Sequence, residues 1–166
     1  NDTISSGSDY YGLILTFTSP SNGAVRLNQD NSMTYTPDEN YFGTDSFIYN
    51  VNVDGSSSTA SVNIDIASVN DVPTFTDFVS TSSIDENTLV VLTVSVDDIE
   101  NDPIGFSLSG SDADKLSIST SGQITFNTNP DFENPHDSNT DNQYDISVEA
   151  SDGTDSISEE LSITIL

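Results

Sequence analysis

Cysteine is absent from the 166 residues, so neither a disulfide framework nor a thiolate metal site can form. Tryptophan is absent too, and basic residues number 2, Arg26 and Lys115, against 28 acidic ones. With a formal charge of −26 the chain cannot gather the several cations on one face that phosphate backbones or anionic headgroups require. Nucleic acid and anionic membrane surfaces are therefore excluded as partners. No apolar run approaches the roughly 18 residues of a membrane span, and membrane insertion is not expected. Residue 1 opens directly on polar sequence, so any export signal is expected to lie outside these residues. The single histidine, His136, sits in a polar stretch between Pro135 and Asp137, and there is no G-x-S-x-G nucleophile elbow. No enzymatic activity is expected.

What the chain does have is apolar residues alternating with polar ones at period two. Phe47, Tyr49, Val51 and Val53 share one face, as do Ala60, Val62, Ile64 and Ile66. Ile104, Phe106 and Leu108 form another such set, Tyr144, Ile146, Val148 and Ala150 a fourth, and Leu161, Ile163 and Ile165 a fifth. Strict alternation marks strands with one buried and one wet face. No stretch of about 11 residues carries helical spacing. Turn clusters such as Ser21-Asn22-Gly23, Asp54-Gly55, Ser121-Gly122 and Asp152-Gly153 separate the runs. The pattern predicts an all-β protein of the sandwich class.

The chain divides near Val69-Asn70-Asp71-Val72-Pro73, where Pro73 stiffens the backbone and cannot donate a ladder hydrogen bond. Residues 47–66 read as strand, Asp-Gly turn and strand, and residues 144–165 read the same way, which implies tandem units of one architecture. The expected boundaries are a first unit at 1–69, a linker at 70–73 and a second unit at 74–166. Asp152 lies 81 residues after Asp71, but Asp54 lies only 53 after Asn1, so the first unit is expected to lack about 28 residues at its start. In the second unit these correspond to Thr74–Val79 and Thr88–Val96, read as two strands. The apolar set Leu13, Leu15, Phe17, Phe47, Tyr49 and Val51 then needs cover from preceding residues or from a neighbouring subunit.

Acids of the second unit cluster at turn ends. Asp98-Ile99-Glu100-Asn101-Asp102 follows the apolar run Val90–Val96, Asp152 follows the run ending at Ala150, and Asn70-Asp71 lie in the linker. Carboxylates crowded together repel unless a cation lies among them. Ca²⁺ takes six to eight oxygens from Asp, Glu, Asn and backbone carbonyls, and this mixture supplies them. Singly, each Asp or Asn can equally cap a turn.

Over their whole length residues 72–166 resemble a cadherin repeat. Ile84-Asp85-Glu86-Asn87 is similar to the family's acidic "PEN" segment, Asp98-Ile99-Glu100 to its "DxD", and Asp131-Phe132-Glu133 to its "DRE". Val148-Glu149-Ala150-Ser151-Asp152-Gly153 is similar to "VxAxDG", and Asn70-Asp71 to the linker "NDN" with Val72 in the third place. Residues 1–70 resemble a related repeat of large bacterial surface proteins. The matching text is Asn22-Gly23-Ala24-Val25, Met33-Thr34-Tyr35-Thr36-Pro37 and the run from Asn40 to Tyr49. The fold expected is thus two tandem Ig-like or cadherin-like Greek-key β-sandwiches, the first lacking its N-terminal strands.

The resemblance implies a calcium site from the side chains of Asn70, Asp98, Glu100 and Asp152 and the Val72 carbonyl, with Asp71 and Asp102 in the same acidic group. It also implies a half-site from Glu86, Asp131 and Glu133, completed by the linker of a following repeat. The implied function is a calcium-stiffened structural or adhesive segment of an extracellular surface protein, secreted or held at the cell surface. Its implied partners are neighbouring repeats or subunits, with a surface carbohydrate or protein as a further candidate ligand. The alternative is a carbohydrate-binding module of a secreted polysaccharide-active enzyme. That role needs an exposed aromatic platform, for which Tyr10, Tyr11, Tyr41 and Phe78 are the candidates.

Overall fold

The computed structural model describes residues 4–7, 13–30 and 32–166. It falls into two compact units, Asn1–Val69 and Asn70–Leu166.

Unit 1 contains strands β1 (Ile4–Gly7), β2 (Leu13–Phe17), β3 (Gly23–Leu27), β4 (Met33–Pro37), β5 (Gly43–Val53) and β6 (Ser56–Ile66). One sheet runs β1-β2-β5-β6, and β3 and β4 form a separate hairpin. Every neighbouring pair is antiparallel. The turn between β5 and β6 is two residues long, with Asp54 at φ 48° and Gly55 at φ 84°. A two-residue hairpin whose twist matches its strands needs positive φ at both positions, which is why Asp-Gly stands there. The core is small. Phe17, Val25 and Phe47 are buried, with Leu27, Met33, Tyr35, Tyr49, Val62 and Ile64 packed partly around them. Phe17 and Phe47 meet edge-on, ring centroids 6.5 Å apart. The alternation read along β6 closes over only part of its length: Val62, Ile64 and Ile66 are half-buried, but Ala60 is exposed.

Unit 2 contains β7 (Thr74–Phe75), β8 (Thr81–Ile84), β9 (Val90–Thr93), β10 (Val96–Asp97), β11 (Gly105–Ser109), a 3₁₀ turn (Ala113–Lys115), β12 (Leu116–Ile118), β13 (Gln123–Phe126), β14 (Gln143–Ser151) and β15 (Ser156–Ile165). One sheet is ordered β11-β14-β15-β8, another β12-β13-β9, and β7 pairs with β10. β11 pairs with β14 while β12 and β13 lie in the other sheet, the crossover of a Greek key. The inward residues of β14 (Tyr144, Ile146, Val148, Ala150) and β15 (Leu161, Ile163, Ile165) are all buried. They share a core with Val94, Leu116, Ile124 and Phe126. Phe126 stands edge-on to Tyr144 at 4.8 Å.

The units share a plan. The sheet β2-β5-β6 recurs as β11-β14-β15, and the hairpin β3-β4 as β12-β13. Unit 2 adds β8, laid parallel on β15 from Thr81 against Ser162 to Ile84 against Ile165, and β9 on β13. Among the described residues of unit 1, no strand takes either place. The two stretches read from sequence as single strands are both interrupted. Thr74–Val79 yields only the short β7, and the pairing strand β8 follows at Thr81. Thr88–Val96 is broken at 94–95, between β9 and β10, although the Val94 amide still donates to Gly122 O at 2.9 Å, the residue opposite it in the β9–β13 register.

Candidate metal centre

Three carboxylates converge at one place in unit 2. Glu86, Asp131 and Glu133 each offer an oxygen within 4.8 Å of the others, the one set of three such groups among the described residues. The backbone brings them together. After β8 the chain is clamped to the end of β15, with Glu86 N donating to Leu166 O at 3.1 Å and Leu166 N to Ile84 O at 3.0 Å. The next amide, Asn87 N, donates to Pro130 O at 2.9 Å, which sets Glu86 beside the loop carrying Asp131 and Glu133. Phe132 N then donates to Glu86 Oε2 at 3.1 Å, and Asn134 N to Asp131 Oδ1 at 3.1 Å.

The residues expected as a second site form linked pairs at the start of unit 2. The Asn70 amide nitrogen donates to Asp152 Oδ2 at 3.0 Å and to Asp155 Oδ2 at 2.9 Å. Asp71 N donates to Glu100 Oε2 at 3.0 Å. Asp102 N donates to Asp98 Oδ1 at 2.8 Å, and the other Asp98 oxygen is buried with no donor. Val72 is exposed. Asp155 was not legible as part of this group. The sequence places the turn at Asp152-Gly153, but the loop runs through residue 155, and Asp155 returns to the same amide as Asp152. The Asp152 carboxyl is held below the usual carboxylate range, first by the Asp155 and Thr154 amides at its Oδ1 and also by Asn70.

No basic side chain balances these groups. The ion pair among the described residues is Lys115 with Asp114 at 2.6 Å, and Arg26 is exposed on β3 in unit 1. Clustered carboxylates without a counter-charge, together with a buried carboxylate oxygen lacking a donor, fit a hard divalent cation. Carboxylate, amide and carbonyl oxygens are the ligands Ca²⁺ takes.

Other residues singled out in the sequence lie apart from these groups. Asp54 is exposed in its tight turn. His136 is exposed, with its ring Nε2 3.2 Å from the Asn134 amide. Phe78 packs against the unit 2 core, and the Tyr41 hydroxyl is bonded to Thr44 O at 2.8 Å. Tyr10 and Tyr11 lie outside the described residues, and the side chain of Leu13 is likewise not described.

Residues 1–67 match a family model described as a bacterial Ig domain. Among solved structures the chain is similar to Drosophila N-cadherin EC1-4, at 18% identity and a TM-score of 0.66 over 93% of this chain and 41% of that one. It is also similar to mouse cadherin-23 EC22-24, at 17% identity and a TM-score of 0.62 over 92% and 52%. Human protocadherin-24 EC1-2 matches at 16% identity and a TM-score of 0.59, over 96% of this chain and 85% of that one. The chain spans about half the length or less of the first two of these structures. None of the curated proteins compared with it matches. The architecture is therefore that of Ig-like, cadherin-like β-sandwich repeats. Among the described residues, no helix is long and apolar enough to cross a membrane.

Proposed function

We propose that the chain is a calcium-stiffened structural or adhesive repeat segment of a large extracellular surface protein or filament. It acts by binding and has no catalytic role. The observation that carries this reading is the convergence of Glu86, Asp131 and Glu133 with no cationic side chain to balance them. A calcium ion held there supplies the missing positive charge where the segment after β8 already meets the loop before β14. A second ion, held by Asn70, Asp71, Asp98, Glu100, Asp102 and Asp152 with the Val72 carbonyl, fixes the residues that open unit 2. The partners of such a segment are neighbouring repeats of the same protein or neighbouring subunits.

Calorimetric calcium titration tests the reading. Wild type is expected to bind calcium stoichiometrically, Glu133→Gln to lose one site, and Asp98→Ala or Asp152→Ala to lose the other. Asp65→Ala, on the exposed face of β6, is expected to titrate as wild type. Equal binding by all four variants would mean diffuse condensation of cations on an acidic surface, and the reading would fall.

A further inference from the structure

The loop between β13 and β14 carries Asp131 and Glu133, yet those two residues and most of their neighbours are exposed. Packing does not hold the backbone between the two acids, since the Phe132 side chain is 46% exposed. Polar contacts hold it instead. Phe132 N donates to Glu86 Oε2 at 3.1 Å, and Phe132 O accepts from the Asn142 amide nitrogen at 3.0 Å. Asn142 is itself fixed on three sides. Its N–H donates to Asp137 Oδ2 at 3.0 Å, and its carbonyl accepts from Ile165 N of β15 at 3.0 Å. Its φ of 64° lies in the left-handed region that asparagine tolerates. Asp137, only 5% exposed, also gathers the Asn139 and Asp141 amides at 3.1 Å each. Among the described residues the buried Asn142 Oδ1 has no donor, and Phe132 O is the one polar partner of that side chain.

We propose that Asn142 is a positioning residue for the Glu86, Asp131 and Glu133 site, clasping the Phe132 peptide so that the acids on either side of it face Glu86. This rests on the cation reading given above. A continuous line of hydrogen bonds runs from the buried Asp137 through Asn142 and Phe132 to the Glu86 carboxylate. The loop is thereby ordered before any ion arrives, and the ion does not have to order it. Groups that hold metal ligands in place without touching the metal change its affinity by roughly 10- to 100-fold when removed.

The test uses Asn142→Gly, which keeps the left-handed backbone and deletes only the side chain. Thr140→Gly is its control, because Thr140 also has positive φ (62°) and its hydroxyl reaches only Asn139 O. Each is compared with wild type and Glu133→Gln by calcium titration, and by hydrogen exchange of the Phe132 amide in chelator. Asn142→Gly is expected to weaken the site that Glu133→Gln abolishes by about tenfold or more, and to speed Phe132 exchange severalfold without cation. Thr140→Gly is expected to do neither. If Glu133→Gln loses a site and Asn142→Gly binds and exchanges as wild type, the positioning role is overturned and the cation site stands. If Glu133→Gln titrates as wild type, the cation reading fails, and the positioning role fails with it.

Discussion

Asp112 offers the sharpest test of how unit 2 is held together. It is 1% exposed, and three donors fill its carboxylate: Ser138 N at 2.6 Å on Oδ1, with Asp145 N and the Ser111 hydroxyl each at 2.9 Å on Oδ2. Burial alone pushes its pKa up, but these donors outweigh it and hold the carboxyl below the usual carboxylate range. Ser138 belongs to the loop before β14 and Asp145 to β14 itself, so one side chain ties the loop to the sheet. Alanine removes the acceptor and strands two amides. A buried donor left without a partner costs about 1–3 kcal/mol. The Ser111 hydroxyl and part of the Ser138 demand can turn to water, so the loss is about 2–4 kcal/mol in all. For a domain of this size each kcal/mol moves Tm by about 4–8 °C, which places the fall at about 8–32 °C. Calorimetric melting in chelator keeps cation binding out of the comparison. Asp114→Ala is the control, because among the described residues the carboxylate of that exposed acid is bonded only to Lys115 and a surface pair contributes at most about 1 kcal/mol. A fall for Asp112→Ala no larger than for Asp114→Ala would refute the reasoning.

Four further outcomes are expected. Calcium at ten- to hundredfold above its Kd is expected to stabilise the chain by about 1.4–2.7 kcal/mol per site, raising Tm, and an unchanged melting curve in chelator would sink the cation reading. Acid is expected to destabilise the fold. Asp45, Asp112 and Asp152 are all held below 3.8, so the folded chain binds fewer protons than the unfolded one. Their contribution is complete above pH 3.8 and disappears as pH falls through their lowered values; Asp112→Asn should show a shallower acid loss than wild type. In alkali Tyr35, pushed up to about 12 by burial and by its bond to Asp45, works in the other direction. Its contribution is complete below pH 10 and is lost as pH rises through about 12, which Tyr35→Phe should abolish. Small-angle scattering is expected to report a longer, less flexible particle in calcium than in chelator, and identical curves would remove the stiffening role.

Much of the fold is legible in the sequence because its strands follow period two strictly. Tyr144, Ile146, Val148 and Ala150 alternate in the text and are all buried in the structure. The Asp54-Gly55 turn is equally legible, since positive φ at two successive residues narrows the choice of side chains. Where the period fails, so does the reading. Val90 and Val91 are adjacent apolar residues in β9, and the ladder of β9 with β13 shifts register between Ile124 and Thr125. The text runs on as one apolar stretch through Val96, yet the strand is interrupted at 94–95, between β9 and β10. β8 escapes for another reason. Thr81-Ser82-Ser83-Ile84 has almost no apolar signal, and it is a strand only because the edge of β15 is there to pair with it.

The acids divide into two populations that composition cannot separate. In the first, backbone amides fill the carboxylate. Asp45 accepts from Ser21, Asn22 and Ser46 amides and the Tyr35 hydroxyl, Asp112 from Ser138 and Asp145 amides, and Asp137 from Asn139, Asp141 and Asn142 amides. All three are buried, and each closes a loop onto itself or onto a strand. Such a carboxylate has its negative charge met by the fold and little left to offer an ion. The second population is only partly met. Among the described residues Glu133 has no donor, one Asp98 oxygen is buried with none, and Glu86 and Asp131 each take amide donors on a single oxygen. Sequence position hints at the division only weakly, since Asp131 and Asp137 lie six residues apart in one polar loop. What separates them is which carboxylate the backbone turns its amides toward. A buried carboxylate is stable when those amides arrive, and a cluster without them is left with repulsion that a divalent cation can remove. Replacing Asp137 should therefore lower stability in chelator, whereas replacing Glu133 should leave it unchanged or raise it, and lower stability only when calcium is present.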